Sequence, residues 1–309
     1  MEATDKSVLH PPNLIGEHAP KYPAVLVNDE QKETCMLSSS PAIQNAHPFD
    51  YSVYSNPEFD GLPVLGPYRY MQESVWSRDS VVFTYKGQYK DGLRHGSGRL
   101  LYPDGSVYEG YFYNDWPHFK GRLLYRNGNS YCGDWKDGKM DGHGTYCKSN
   151  GDWYTGTFKQ NACTGHGKEL TFGGDVYFGE FLASKMHGQG SLRAECGESY
   201  TGQYKNGLVH GFGTFKWRDG RVCTGQFNET NLHGKAKHKW PNGEVYFGDY
   251  FDGERCGYGE MHYEDGSVYR GDWLGDQPDG TGTLTKPDGV SMSGEWSQGA
   301  LISLDDGKP

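Results

Sequence analysis

A period of 23 residues constrains this chain more than any other feature. The stretches YEGYFYNDWPHFKGRLLYRNGNS (108–130) and YCGDWKDGKMDGHGTYCKSNGDW (131–153) follow one another directly and share one skeleton. Counting places from Tyr85 and stepping by 23 puts Tyr at place 1 in eight of ten units, with Cys223 and Met292 as the exceptions. Gly stands at place 3 in all ten, from Gly87 to Gly294, and at place 21 in all nine complete units, from Gly105 to Gly289. Place 5 is always aromatic: Tyr89, Phe112, Trp135, Phe158, Phe181, Tyr204, Phe227, Tyr250, Trp273 and Trp296. Nine units thus run from 85 to 291 without insertion, followed by a partial tenth.

Places 1, 3 and 5 alternate with polar neighbours, as in YRGDW and YTGQY. That is the period of two expected of a strand with one covered face. Gly at place 3 leaves a hollow for the rings of neighbouring strands. A second strand is expected at places 14–18, as in GRLLY (98–102) and GTFKW (213–217). Between it and the next unit lie PDG, RNG, SNG and RDG, and Asp-Gly or Asn-Gly is a strong hairpin signal because both residues tolerate positive φ. A unit this small cannot bury a core alone, so units must stack edge to edge. The expected fold is all-β: an elongated, single-layer antiparallel sheet of stacked β-hairpin repeats. About 20 strands at ~4.8 Å spacing would make a twisted open ribbon on the order of 90 Å long.

Composition narrows the function classes. Gly reaches 46 of 309 residues without a collagen period, and aromatics at 15% are too frequent for a wholly disordered chain. A formal net charge of −10 disfavours nucleic acid, and anionic membranes too unless a basic patch overrides it. Seven cysteines, an odd number without a CxxC, fit neither a disulfide framework nor a zinc site and point to free thiols in a reducing compartment. MEATDKSVLHPPN lacks the apolar core of a secretory signal, no apolar run approaches ~20 residues, and DDGKP carries no prenylation box. The expectation is a soluble cytoplasmic protein in which the Asn228 sequon is silent.

Before Tyr85 the composition shifts: nine of 15 Pro but only three of 46 Gly, with 5 Lys/Arg against 11 Asp/Glu. Residues 1–47 read as a flexible arm. Residues 48–84, rich in aromatics, read as an irregular segment capping the first strand of the repeats, with Trp76 and Phe83 as anchors. The repeats are placed at 85–299 and a short tail at 300–309, where Asp305 and Asp306 would discourage edge pairing.

The pattern YKGQYKDGLRHGSG (85–98) and YTGQYKNGLVHGFG (200–213) closely resembles the YxGxxxxGxxHGxG signature of MORN repeats. Unit two departs at place 12, with Phe119 for Gly, and unit seven at place 14, with Ala236 for Gly. The resemblance implies an open antiparallel sheet used for protein contacts, scaffolding and, in some members, lipid association. MORN-repeat proteins recur in ciliary and flagellar structures, notably radial-spoke heads, and in cytoskeletal rings of protists. An axonemal or cytoskeletal component, docking partner proteins within a larger assembly, is therefore the leading expectation. A peripheral phospholipid-binding tether is the alternative.

His recurs at place 11 as His95, His118, His187, His210 and His233. Equivalent atoms in successive units lie two strand spacings apart, roughly 10 Å, whereas metal ligands must sit about 2 Å from one ion, so a turn-stabilising role is expected and no metal. The recurring GxG lacks the strand, loop and helix of a phosphate site, there is no GxxxxGK[ST], GxSxG or HExxH, and neither a cofactor nor catalysis is expected. Lys235, Lys237 and Lys239 fall at period two on one strand face and form a candidate stripe for an anionic lipid or an acidic partner. The place-5 rings are expected to cover the glycines, and part of that row to double as an interface for a helix or an extended segment lying in the sheet's groove.

Overall fold

The computed structural model describes residues 72–78 and 81–305. The arm expected over 1–47, most of the cap expected over 48–84, and Asp306 lie outside the described residues. Those described are all-β, with twenty-one strands, no helix and antiparallel pairing, an open sheet built of hairpin repeats. They fall into two compact units, one ending at Lys185 and one beginning at Met186, built by the same rules.

Each period has a leading strand at places 23 to 6, such as Val107–Tyr113, and a return strand at places 9 to 17, such as Trp116–Leu124. The return strand is thus longer than the expected 14–18, because the tight hairpin turn sits elsewhere than Asp-Gly at place 21 suggested. The two residues at places 7 and 8 both take positive φ, as in Asp91 (52°) and Gly92 (80°), or Ala183 (49°) and Ser184 (63°). This matches the type I′ hairpin turn, whose twist suits the flanking strands. At PDG only the glycine is left-handed, with Gly105 at φ 89°. There the Asp or Asn side chain accepts the N–H two residues on: Ser106 N donates to Asp104 Oδ1 at 2.8 Å and Asn129 N to Asn127 Oδ1 at 3.0 Å. This loop of three residues closes with Tyr102 N donating to Ser106 O at 2.8 Å.

Within the hairpins of the full units built around Gly87, Gly110 and Gly133, the pairing slips once after place 3, as between Gly87 and Tyr89. The return strand absorbs the slip at place 12, which holds positive φ in all nine complete units; Phe119 adopts 60° where the other eight have Gly. The departure in unit two therefore leaves the turn geometry intact. The place-4 side chain satisfies the N–H that the bulge strands at place 13, as Gln88 Oε1 does for Ser97 N at 2.8 Å and Asp134 Oδ2 for His143 N at 2.8 Å.

The core explains the Tyr-x-Gly signature. Place-1 Tyr bends its ring over the glycines at places 3 and 14, which face each other across the hairpin, as Gly110 and Gly121 do. A Cβ on either would run into the Tyr108 ring, whose hydroxyl donates to Tyr111 O at 2.9 Å. Tyr85, Tyr131 and Tyr154 repeat this bond to Gln88 O, Asp134 O and Thr157 O. Burial pushes these hydroxyls well above the ordinary tyrosine range. Unit seven departs at both ends of the contact at once: where Cys223 replaces the Tyr, Ala236 replaces the place-14 Gly, and both are buried. The absent ring leaves room for the methyl group.

Strands occupy parts of the segment expected to be an irregular cap and of the one expected to be a short tail. Gln72–Arg78 pairs with Val81–Lys90 and sets Trp76 opposite Phe83; the Phe83 ring meets Tyr102 edge-on at 6.4 Å. Ala300–Leu304 pairs with Ser291–Ser297, and Asp305 N donates to Ser293 O at 2.9 Å. The partial tenth unit thus closes a hairpin of its own in place of a tail.

Candidate interaction surfaces

The place-5 rings are not an open row. Phe112 lies edge-on between Tyr85 and Tyr108, with centroids 5.0 and 5.1 Å away, and Phe158 and Phe181 are held likewise by Tyr131, Tyr154 and Tyr177. Beyond Met186, Trp273 sits between Tyr246 and Tyr269 at 5.1 and 5.4 Å. Trp135 and Trp296 fill the same slot, and their indole N–H groups donate to Gly121 O and Gly282 O, carbonyls of the preceding unit. Phe112, Trp135, Phe158, Phe181, Tyr204, Phe227, Tyr250, Trp273 and Trp296 are buried, and only Tyr89 is half-exposed. Edge-to-face rings at this spacing are a strong packing arrangement, so the row is the core's own ladder and offers a partner almost no surface.

The lysine stripe is exposed but not uniformly available. Lys235, Lys237 and Lys239 all point outward, and Lys235 Nζ is tied to Asp249 Oδ2 on the paired strand at 2.6 Å. The place-11 row faces the hairpin tip of the following unit. His118 Nδ1 accepts Asp137 N at 3.3 Å, as Asp141 does Gln160 N and Asp279 does Gln298 N, both at place 11. His95 and His233 instead lie against the rings of Tyr113 and Phe251. Among the described residues no cluster of His, Cys, Asp and Glu could hold a metal ion.

Nine stretches, 85–107, 108–130, 131–153, 154–176, 177–194, 200–220, 223–245, 246–268 and 269–291, match the model of the MORN repeat, over half of the chain. The chain belongs to the MORN-repeat family. No curated protein matches it. Among solved structures it is similar to the SAS-4 (dCPAP) TCP domain in complex with a proline-rich motif of Ana2 (dSTIL) of Drosophila melanogaster. That match has 16% identity, 65% of this chain and 84% of the other covered, and a TM-score of 0.19. A streptogramin B lyase matches at 9% identity over 74% and 87% of the two chains, with a TM-score of 0.15. At such scores neither likeness bears on fold or function.

What MORN units leave open to solvent lies elsewhere. At place 18, beside the three-residue loops, stand the half-exposed rings of Tyr102, Tyr125, Trp217, Trp240 and Tyr263. Between two of them the buried His238 ring is stacked nearly parallel, 5.2 Å from Trp217 and 4.1 Å from Trp240. Phe178, Phe212, Phe247 and Tyr258 stand exposed on the face opposite the ring ladder, and Tyr113, Trp116, Phe251 and Leu274 at the hairpin tips. The sequence did carry a signal for the place-18 row, because five of its nine positions are aromatic, but the nearby Gly-rich turn masked it.

Proposed function

We propose that this MORN-repeat protein is a non-enzymatic scaffold that docks partner proteins inside a larger cytoskeletal assembly, with the ciliary or flagellar axoneme as the leading setting. MORN repeats are generally protein or lipid interaction modules, and the carrying observation is what the core leaves outside. The 23-residue period keeps its place-3 Gly and place-5 aromatic constant, and its Tyr in eight of ten units, while the exposed places vary freely between Lys, Leu, Trp, Phe and Asn, as at places 6 and 9. A fixed frame that displays different side chains at regular intervals suits the recognition of several partner segments along one molecule. Large exposed rings such as Trp116, Phe247 and Tyr258 are the residue types that anchor such contacts.

The test is extraction of the tagged endogenous protein with mild detergent, separating soluble material from the insoluble cytoskeleton or axoneme. Retention in the insoluble fraction is the expected result. Release by detergent, without release by salt alone, would overturn the scaffold in favour of a membrane tether.

A further inference from the structure

We infer that the hairpin tips of units two to four form a docking site for an acidic protein segment carrying apolar anchors. This rests on the scaffold reading and names the chemistry of one partner. At the tip of unit two, Tyr113 and Trp116 are direct cross-strand partners, yet 46% and 59% exposed. The Trp116 ring reaches over the next tip: a Cβ placed on Gly138 would lie 2.9 Å from Trp116 Cε3. Flanking that glycine turn, Lys136 and Lys139 are themselves cross-strand partners, both exposed, and among the described residues neither forms an ion pair. Like charges directly opposite each other destabilise a sheet, and the one carboxylate in the intervening turn, Asp137, is directed at His118. Two face lysines of the same compact unit are matched, Lys120 by Asp134 and Lys148 by Asp152. In unit four, Lys159 extends the positive tips and reaches Asp141 only at 3.5 Å, with 66% of its side chain exposed.

Two facing lysines beside two exposed rings are complementary to carboxylates interleaved with apolar side chains, as on an acidic amphipathic helix. A bilayer fits the site less well. A few lysines contribute only about 1 kcal/mol each at an anionic surface, Asp137 sits among them, and the net charge of −10 opposes association with such a surface.

The experiment measures fluorescence anisotropy of a labelled peptide of about 15 residues repeating Glu-Leu-Glu, titrated with the full-length protein. Wild type is expected to bind it. Lys136→Glu combined with Lys139→Glu should weaken binding about tenfold or more, and so should Trp116→Ala alone. All three residues are exposed, so thermal midpoints should stay near wild type and separate lost binding from lost folding. Equal affinity in wild type and both variants would overturn the site. So would binding to vesicles of phosphatidylserine and phosphatidylcholine that is sensitive to these substitutions, without binding to the peptide. A protein that fails here yet remains in the detergent-insoluble fraction would refute this site and leave the scaffold reading standing.

Discussion

At the scale of the residue, one contact governs the fold: a Tyr ring laid over two facing glycines. Gly213 shows the consequence, because a methyl group there would collide with the ring and hydroxyl of Tyr200. Gly213→Ala should therefore destabilise the protein by about 1–3 kcal/mol, the usual cost of overpacking a filled core, read as a lower midpoint in denaturant. Unit seven supplies the compensating change, since Cys223 and Ala236 occupy the corresponding positions. Tyr200→Cys with Gly213→Ala should be less destabilised than the sum of the two single variants, and strict additivity would sink this explanation. The sequence disclosed the Tyr and Gly rows plainly, since both recur at fixed places. It could not disclose that each ring folds back on its own hairpin, because period two says which face a side chain takes and nothing about which way it leans. The same limit hid the burial of the place-5 rings. Part of that row was expected to double as an interface, whereas tyrosines of adjacent units close on both sides of Phe112.

At the scale of the element, the return strand carries one position that departs from its apolar character in two units. Place 16 holds Leu100, Phe215 and Met261 elsewhere, but Glu169 in one unit and His238 in another. Burial, then Arg221 and Arg255, depress the His238 imidazole to about 4. The unfolded chain, with an ordinary histidine near 6.5, therefore binds the proton more readily. This contribution to stability is present above that value and is lost as the pH falls through about 4. His238→Phe should keep a ring between Trp217 and Trp240 and shrink the fall in thermal midpoint between neutral and mildly acidic buffer. An unchanged fall would refute the assignment. Glu169 has the opposite sign. Burial, partly offset by Lys148, raises its carboxyl from 4.5 to about 7, so its contribution is full at acid pH and is lost as the pH rises toward that value. Glu169→Leu should raise the midpoint in mildly alkaline buffer more than in acid, and a uniform shift would contradict this. Turn positions were the least legible elements. Asp-Gly at places 20 and 21 announced a hairpin, while the type I′ turn at places 7 and 8 uses pairs as unlike as Asp91-Gly92 and Ala183-Ser184. Twist matching between the strands, a property of the folded hairpin, decides where the tight turn falls.

At the scale of the whole molecule, the period is the unit of assembly, and its phase matters more than its count. One main-chain contact that joins each MORN unit to the next, within each compact unit, recurs at the same offset. Place-8 N–H groups donate to the place-10 carbonyl of the preceding unit, as Gly138 N does to Pro117 O and Asn161 N to Met140 O, both at 2.9 Å. Removing residues 131–153 would join Ser130 to Tyr154, place 23 to place 1, so that Tyr154 meets the strand Trp116–Leu124 where Tyr131 met it before. The shortened chain should fold with unchanged β-sheet circular dichroism per residue and a single cooperative melt, its midpoint modestly lower because one interface is gone. Removing only 131–142 would instead join place 23 to place 13, set His143 where Tyr131 stood opposite Leu123, and leave Phe158 without Tyr131. That variant should melt at much lower temperature or be cleaved rapidly by protease, since a slip of register turns core residues toward solvent. Equal stability in the two deletions would mean that the stacking tolerates any junction and that the 23-residue phase does not specify it.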